Sequence, residues 1–430
     1  MSMTAIDTSF FQRIRHAAVV ASAVLCCGSP GPATSLAKST VPSSRPTLDV
    51  TQFASVDPTG ETDSTEGILM AIASAPAKVV FPCGVYLISG TIPLPSNMEI
   101  SGMGECSVIR TDRNFRGNAN WSRLNFPQPR GDPGGVFANA DWENGNGNIR
   151  IHDLSLDGGA GTGGGRRLYL IAFYKAANVV VERLRLTGAS NNDVQIGVAF
   201  INSHDFTIKD SYAIGERSAC YGVWDGSSRF EIEHNVCDGN DVADGGVVVN
   251  GISTAYKSAT SYDGKVIGNK ISHTRLTGIF VGGLWNGDRA APVYGDVQEI
   301  TVEGNSIDGV SVYHGILISD ALNVNVRGNS ISNVSREAIR VGSQFQGRTK
   351  NIFVENNIIK DVDQSSIPDD AIKVTNHSED VTISNNKIAS GNHRFSIRVD
   401  PDVRNVHVEG PRPGRGKLGD ISDGQALGER

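Results

Sequence analysis

The sequence predicts an all-β solenoid, a single-stranded right-handed parallel β-helix of about ten coils with an N-terminal capping helix. Three observations carry that expectation. One phrase recurs in "FEIEHNVC", "GKVIGNKI", "EITVEGNSI", "VNVRGNSI", "IFVENNII" and "VTISNNKI", at intervals of 24 to 36 residues. Apolar residues alternate inside each copy, the period of a strand with one buried face. No stretch between copies carries the roughly 10–15 residues of helical periodicity that a βαβ fold needs.

The elements follow in chain order. Arg13, Arg15 and His16 precede the apolar run "AAVVASAVLCC", and "SLA" ends at Ala37, so residues 1–37 read as an export signal. A secreted or periplasmic protein is expected, and no later apolar run reaches membrane-span length. Residues 38–56 read as a linker and 57–410 as the β-helix. "TDSTEGILMAIASAP" at 62–76 supplies the cap, with Asp63 as N-cap, Glu66 three residues on and Pro76 as a stop. An open β-helix end exposes strand edges, which is why a cap is expected there. Export leaves Cys83, Cys106, Cys220 and Cys237, and pairing 83–106 and 220–237 is one of three possible connectivities. Residues 411–430, polar and rich in Gly and Pro, read as a loose tail.

In the recurring phrase, Asn235, Asn269, Asn305, Asn329, Asn357 and Asn386 share one slot, with Asp153, Arg183 and Asp210 in weaker copies. The slot is expected at an interior turn where side-chain amides stack. Each copy carries a second strand: "DVQIG", "GVWDG", "GVVVNG", "GIFVGG", "GILISD", "AIRVGS", "AIKVTN" and "SIRVD". Stacked at about 4.8 Å per coil, these give an outward column Gln195, Trp224, Val248, Phe280, Leu317, Arg340, Lys373, Arg398. The position before each strand gives Asn192, Tyr221, Gly245, Thr277, His314, Glu337, Asp370, Phe395.

"EAIRVGS" and "DDAIKVT" therefore place acid and base in one register 33 residues apart. Adjacent cations at this spacing repel by about 3 kcal/mol at an effective dielectric of 20, which favours a surface built to hold anions. The candidate catalytic residues are Lys373, Arg340, Arg398, Glu337, Asp370 and His314. Tyr221, Trp224, Phe280, Trp285 and Tyr313 are the candidate sugar-binding residues. Asp369 beside Asp370 suggests an oxygen site for Ca²⁺, although two carboxylates make a small ligand set. Loops around 253–263, 284–297 and 343–350 follow this strand and are expected to wall the same face; 111–148, with Trp121 and Trp142, is a further candidate rim. The formal charge of −7 gives no general attraction for nucleic acid.

The stretch "DPTGETDSTEGILMAIASAPAKVVFPCGVYLISGTIPLPSNMEISGMG" resembles the opening of the pectate-lyase-like superfamily, with a rhamnogalacturonase/epimerase-like N-terminus. The resemblance implies a parallel β-helix directed at carbohydrate. "YHGI" at 313–316 is similar to one polygalacturonase motif, but the other hydrolytic motifs are missing. "EAIRVGS" looks more like a catalytic strand of the alginate-lyase and chondroitinase-B family, without that family's Glu-x-Glu calcium ligands.

The chemistry points the same way. β-Elimination needs a neutralised uronate carboxylate and a base, and Lys373, between two guanidiniums, is the candidate base. The expectation is a secreted enzyme that cleaves a uronate-containing polysaccharide by β-elimination. The alternatives are a polygalacturonase-like hydrolase using two carboxylates, a uronan C5-epimerase, and a non-catalytic glycan-binding β-helix.

Overall fold

The computed structural model describes residues 46–423 apart from 76, 117–133, 160–167, 189–193, 253–259, 285–296, 343–347, 363–368, 376, 411–413 and 415. The export signal and Trp285 lie outside the described residues, as do Asn192, Trp121 and the main parts of the three expected wall loops.

Among the described residues, the strands form a parallel network of twenty-two and a parallel sheet of twelve. A typical coil begins with a strand of the network, as at Val297–Glu303, and turns at the Asn slot. A short second strand follows, as at Ser306–Val310, and the coil then crosses to the twelve-stranded sheet, as at His314–Ser319. That sheet runs from Ile92–Leu94 to Gly419–Asp423, one strand per coil, each paired in parallel with the next. The fold is a parallel β-helix, with twelve such strands against the ten or so coils expected.

Inward positions stack identical chemistry. Ile279, Ile316, Ile339, Ile372 and Ile397 form one ladder, and Val281, Ile318, Val341, Val374 and Val399 another, all buried. Phe173, Phe200, Phe206 and Phe230 stack in the earlier coils. Stacking of like side chains is what lets each coil hide an apolar face that it could not hide alone.

The Asn slot is an interior turn. The Asn305 amide donates to Val266 O at 2.9 Å and to Asn329 Oδ1 at 3.0 Å, while its own Oδ1 accepts from Asn269. The pattern runs unbroken from Asn235 to Asn386. The residue before each Asn is left-handed, with φ of 54° to 64° at His234, Gly268, Gly304, Gly328, Asn356 and Asn385. Glycine meets that requirement without steric cost. The weaker copies sit one residue out of place: Asp153, Arg183 and Asp210 occupy the left-handed corner, and Ser211 fills the slot, donating its backbone N–H to Asn235 Oδ1.

The helix Thr65–Ser74 buries Ile68, Ala71 and Ile72 against the first strands. Its N-cap is Ser64 rather than Asp63. The Ser64 hydroxyl is bound to the Asp57 backbone instead, and Asp63 accepts from Thr65. Gly67 lets the helix approach closely, since a Cβ there would lie 2.5 Å from Val56. The ordered fold extends past both expected ends: Thr47–Asp49 pairs with Lys78–Val80, and Gly419–Asp423 with Phe395–Val399. Both disulfides, Cys83–Cys106 and Cys220–Cys237, are formed.

Candidate functional site

Strand pairing fixes the outward column of the twelve-stranded sheet. It reads Pro93, Ala138, Ala172, Ala199, Gly222, Val248, Phe280, Leu317, Arg340, Lys373, Arg398 and Ser422. Arg340, Lys373 and Arg398 leave one face on three successive coils, in the register expected.

The earlier part of the column differs. Gly222 and Ala199 stand where Trp224 and Gln195 were expected, because alternation cannot detect a slip of two or four residues. Trp224 still faces outward, its ring lying over Gly222, where a Cβ would meet it at 2.2 Å. The same slip carries Tyr221 inward. It is fully buried, its hydroxyl donating to Ser211 O and Val236 O at 3.1 Å, so Tyr221 is core and not a sugar platform. Phe280 faces outward but is only 2% exposed, packed with Val248, Leu317, Ala219 and Trp224. Apolar side chains on an outer sheet face hide one another from water, which removes Phe280 as an open stacking surface. Trp142 is likewise buried, stacked on Tyr174.

Around the cations, Glu337, Asp369 and Asp370 lie beneath, while Asp400 keeps 18% of its side-chain surface. Glu337 and Asp370 have no side-chain exposure and Asp369 only 4%, whereas Arg336, Arg394 and Arg398 are about one-third exposed. Glu337 meets His314 Nδ1 at 2.9 Å, Arg340 Nη1 at 3.4 Å, Arg336 Nε at 3.8 Å and Lys373 Nζ at 3.9 Å. Asp369 takes Arg336 Nη2 at 2.6 Å and lies 4.0 Å from Lys373. Asp370 takes Arg394 Nη2 at 2.9 Å, with Arg398 Nε at 3.9 Å. Arg398 Nε also donates to Asp400 at 3.0 Å, and Thr375 donates to Asp400 at 2.6 Å. The Arg336 guanidinium lies over the half-buried Tyr313 ring.

Burial opposes the charge on Glu337, yet His314, Arg340 and Arg336 together hold its carboxyl well below the ordinary range. Burial and the Glu337 charge push Asp369 up, against Arg336 and Lys373. Burial pushes His314 down, against Glu337.

Three expectations change. The cations are not unneutralised, since each has a carboxylate within 4 Å. His314 is 2% exposed and serves Glu337 rather than offering an open proton donor. Asp369 and Asp370 are engaged by guanidiniums, a poor setting for Ca²⁺, and no trio of His, Cys, Asp or Glu among the described residues could hold a metal. The sequence reading also missed Arg336 and Arg394, whose signal is the repeated spacing "REAIR" and "RFSIR".

The rhamnogalacturonase A/epimerase, pectate lyase-like family matches residues 49–279, more than half of the chain. The chain belongs to this family. Its pectate-lyase-like, right-handed β-helix is a carbohydrate-active fold. A curated relative, the pre-neck appendage protein of Bacillus phage B103, is 30% identical over 145 residues; the match covers 32% of this chain and 15% of that protein's length. Solved structures share the fold at low identity. The A-module of the Azotobacter vinelandii mannuronan C-5 epimerase AlgE6 aligns at 16% identity and TM-score 0.62, covering 88% of this chain and all of that one. A Thermotoga maritima exopolygalacturonase aligns at 14% and 0.56, covering 86% and 93%. The tailspike of E. coli bacteriophage HK620, in complex with a hexasaccharide, aligns at 15% and 0.56, covering 88% and 78%. Among the described residues no helix is long and apolar enough to cross a membrane.

Proposed function

We propose that this chain is a secreted enzyme that cleaves an acidic, uronate-containing polysaccharide by β-elimination on the face around Lys373. One observation carries the reading: cationic heads lie outermost on three successive coils, above carboxylates closed to solvent. A substrate that meets this face meets the guanidiniums of Arg336, Arg394 and Arg398 first, each about one-third exposed. Those groups neutralise a uronate carboxylate as negative charge develops on the adjacent carbon.

Lys373, from its amine form, then takes the α-proton, the electron pair forms the new C=C bond, and the glycosidic oxygen leaves with a proton from solvent. Glu337 at 3.9 Å and Asp369 at 4.0 Å from Lys373 Nζ lie where they receive the ammonium that proton transfer leaves. A binding-only protein and a uronan epimerase remain outcomes of the same test.

One observation favours a second reading. Glu337 and Asp369 are neighbouring carboxyls pushed in opposite directions, the arrangement that assigns acid and base in a glycoside hydrolase. Incubation with pectate, alginate, glycosaminoglycans and bacterial exopolysaccharides separates these readings. Elimination yields unsaturated uronates that absorb in the ultraviolet. New reducing ends without that absorbance select hydrolysis, and altered uronate stereochemistry without cleavage selects epimerisation.

A further inference from the structure

Two arginine pairs stand out on the candidate face. "REAIR" places Arg336 and Arg340 on either side of Glu337, and "RFSIR" places Arg394 and Arg398 four residues apart two coils later. Both members of the first pair approach Glu337, at 3.8 and 3.4 Å. Both members of the second approach the same oxygen, Asp370 Oδ2, at 2.9 and 3.9 Å. Each pair therefore shares one fully buried carboxylate, with Arg336 also bound to Asp369 at 2.6 Å and Arg398 to Asp400 at 3.0 Å. The coil between them holds Lys373 and Asp369, 4.0 Å apart and of opposite charge.

The buried carboxylates fix the guanidiniums without occupying their outer sides. A guanidinium has five N–H donors; Arg336, Arg394 and Arg398 keep about 30% of their side-chain surface and Arg340 15%, with Nε of Arg340 and Arg394 buried. Across the cluster, Arg336, Arg340, Lys373, Arg394 and Arg398 face Glu337, Asp369, Asp370 and Asp400, so five cations meet four carboxylates. With one surplus charge, recognition rests on directed donors rather than on bulk potential.

We propose that the two arginine pairs are two separate anion subsites, which together select a glycan carrying carboxylates about 10 Å apart along the solenoid axis, twice the interstrand spacing. This rests on the reading that the face binds an acidic glycan, and adds the spacing of the acidic groups. A ligand with one carboxylate fills one pair; a ligand long enough to reach both gains the second contact as an intramolecular event.

The test is calorimetric titration with uronate monomers and oligomers of two to five residues, from pectate, alginate and hyaluronan. Wild type should show a step in affinity, on the order of tenfold or more, at the length where a second carboxylate reaches the second pair. Arg394→Gln and Arg336→Gln should each remove the step while monomer binding persists. Arg394→Lys, which keeps charge but loses the fork, should remove most of it, and thermal unfolding of each variant checks the fold. Equal increments per sugar in wild type and variants would overturn the two-subsite inference and leave the acidic-glycan reading standing. Binding of neutral oligosaccharides alone, or of none of the uronates, would overturn both.

Discussion

His314 Nδ1 lies 2.9 Å from Glu337 Oε2, with both side chains closed to solvent, so an imidazole rather than water is the nearest partner of the anion that anchors Arg340 and Lys373. The contact is electrostatic rather than a well-directed hydrogen bond. Removing one partner of a buried charged pair costs about 3–5 kcal/mol, so Glu337→Ala should lower the unfolding free energy from denaturant titration by an amount in that range.

The same pair sets an acid limb of stability. Glu337 is held below the ordinary carboxylate range and His314 is pushed below its ordinary 6.5. In each case the unfolded chain takes up a proton at a higher pH than the native one. Their contribution is complete above about pH 6.5 and is lost as pH falls, first through the histidine and then through the glutamate. Urea titrations from pH 7 to pH 4 should show this loss, and His314→Asn should remove its upper part.

For the cationic column, Arg340→Ala, Lys373→Ala and Arg398→Ala should each damage turnover. Lys373→Ala should lower kcat by on the order of 10²-fold or more as the loss of a general base, while Arg340→Ala and Arg398→Ala should raise KM as well. Glu337 keeps His314 and Arg336 when Lys373 is truncated, so the midpoint of Lys373→Ala should move little. A kcat left unchanged in that variant would remove Lys373 from the chemistry.

Glu216 gives the opposite pH dependence. It is fully buried, its Oε1 lacks a hydrogen-bond partner among the described residues, and its Oε2 lies 3.5 Å from Cys220 Sγ. Burial pushes its carboxyl up to about 8 from an ordinary 4.5. The unfolded chain ionises first, so stability falls as pH rises between those values and levels off above. At about 1.4 kcal/mol per unit, the effect amounts to a few kcal/mol. Melting temperatures at pH 5, 7 and 9 should diverge between wild type and Glu216→Gln, with the variant gaining at the alkaline end.

In the Asn ladder, Asn305→Ala should unpair the Asn269 backbone N–H and one of its two amide N–H groups and remove the bond to Val266 O, while the Asn269 amide keeps Ile232 O. Each buried unsatisfied group costs about 1–3 kcal/mol, so a loss of several kcal/mol is expected. Asn356→Ala, at the neighbouring left-handed corner, should cost less because no ladder bond is broken. Denaturant midpoints of the two variants check the order.

The sequence by itself determined the solenoid, its interior amide ladder and the register of Arg340, Lys373 and Arg398. These follow from local phrases repeated in one frame, and a parallel stack converts a repeated phrase directly into a spatial column. The same local signals could not place Tyr221 or Trp224, because a slip of two residues leaves the alternation of a short, Gly-containing strand intact. Depth was decided only by tertiary structure. Glu337 sits beside Arg336 in sequence and Asp370 three residues before Lys373, yet His314 and Arg394, which lie against them, come from coils 23 and 24 residues away. Whether Phe280 is a platform or a core residue depends likewise on Val248, Leu317 and Trp224. Burial is a property of what packs over a side chain, and in a β-helix most of that packing comes from the next coil.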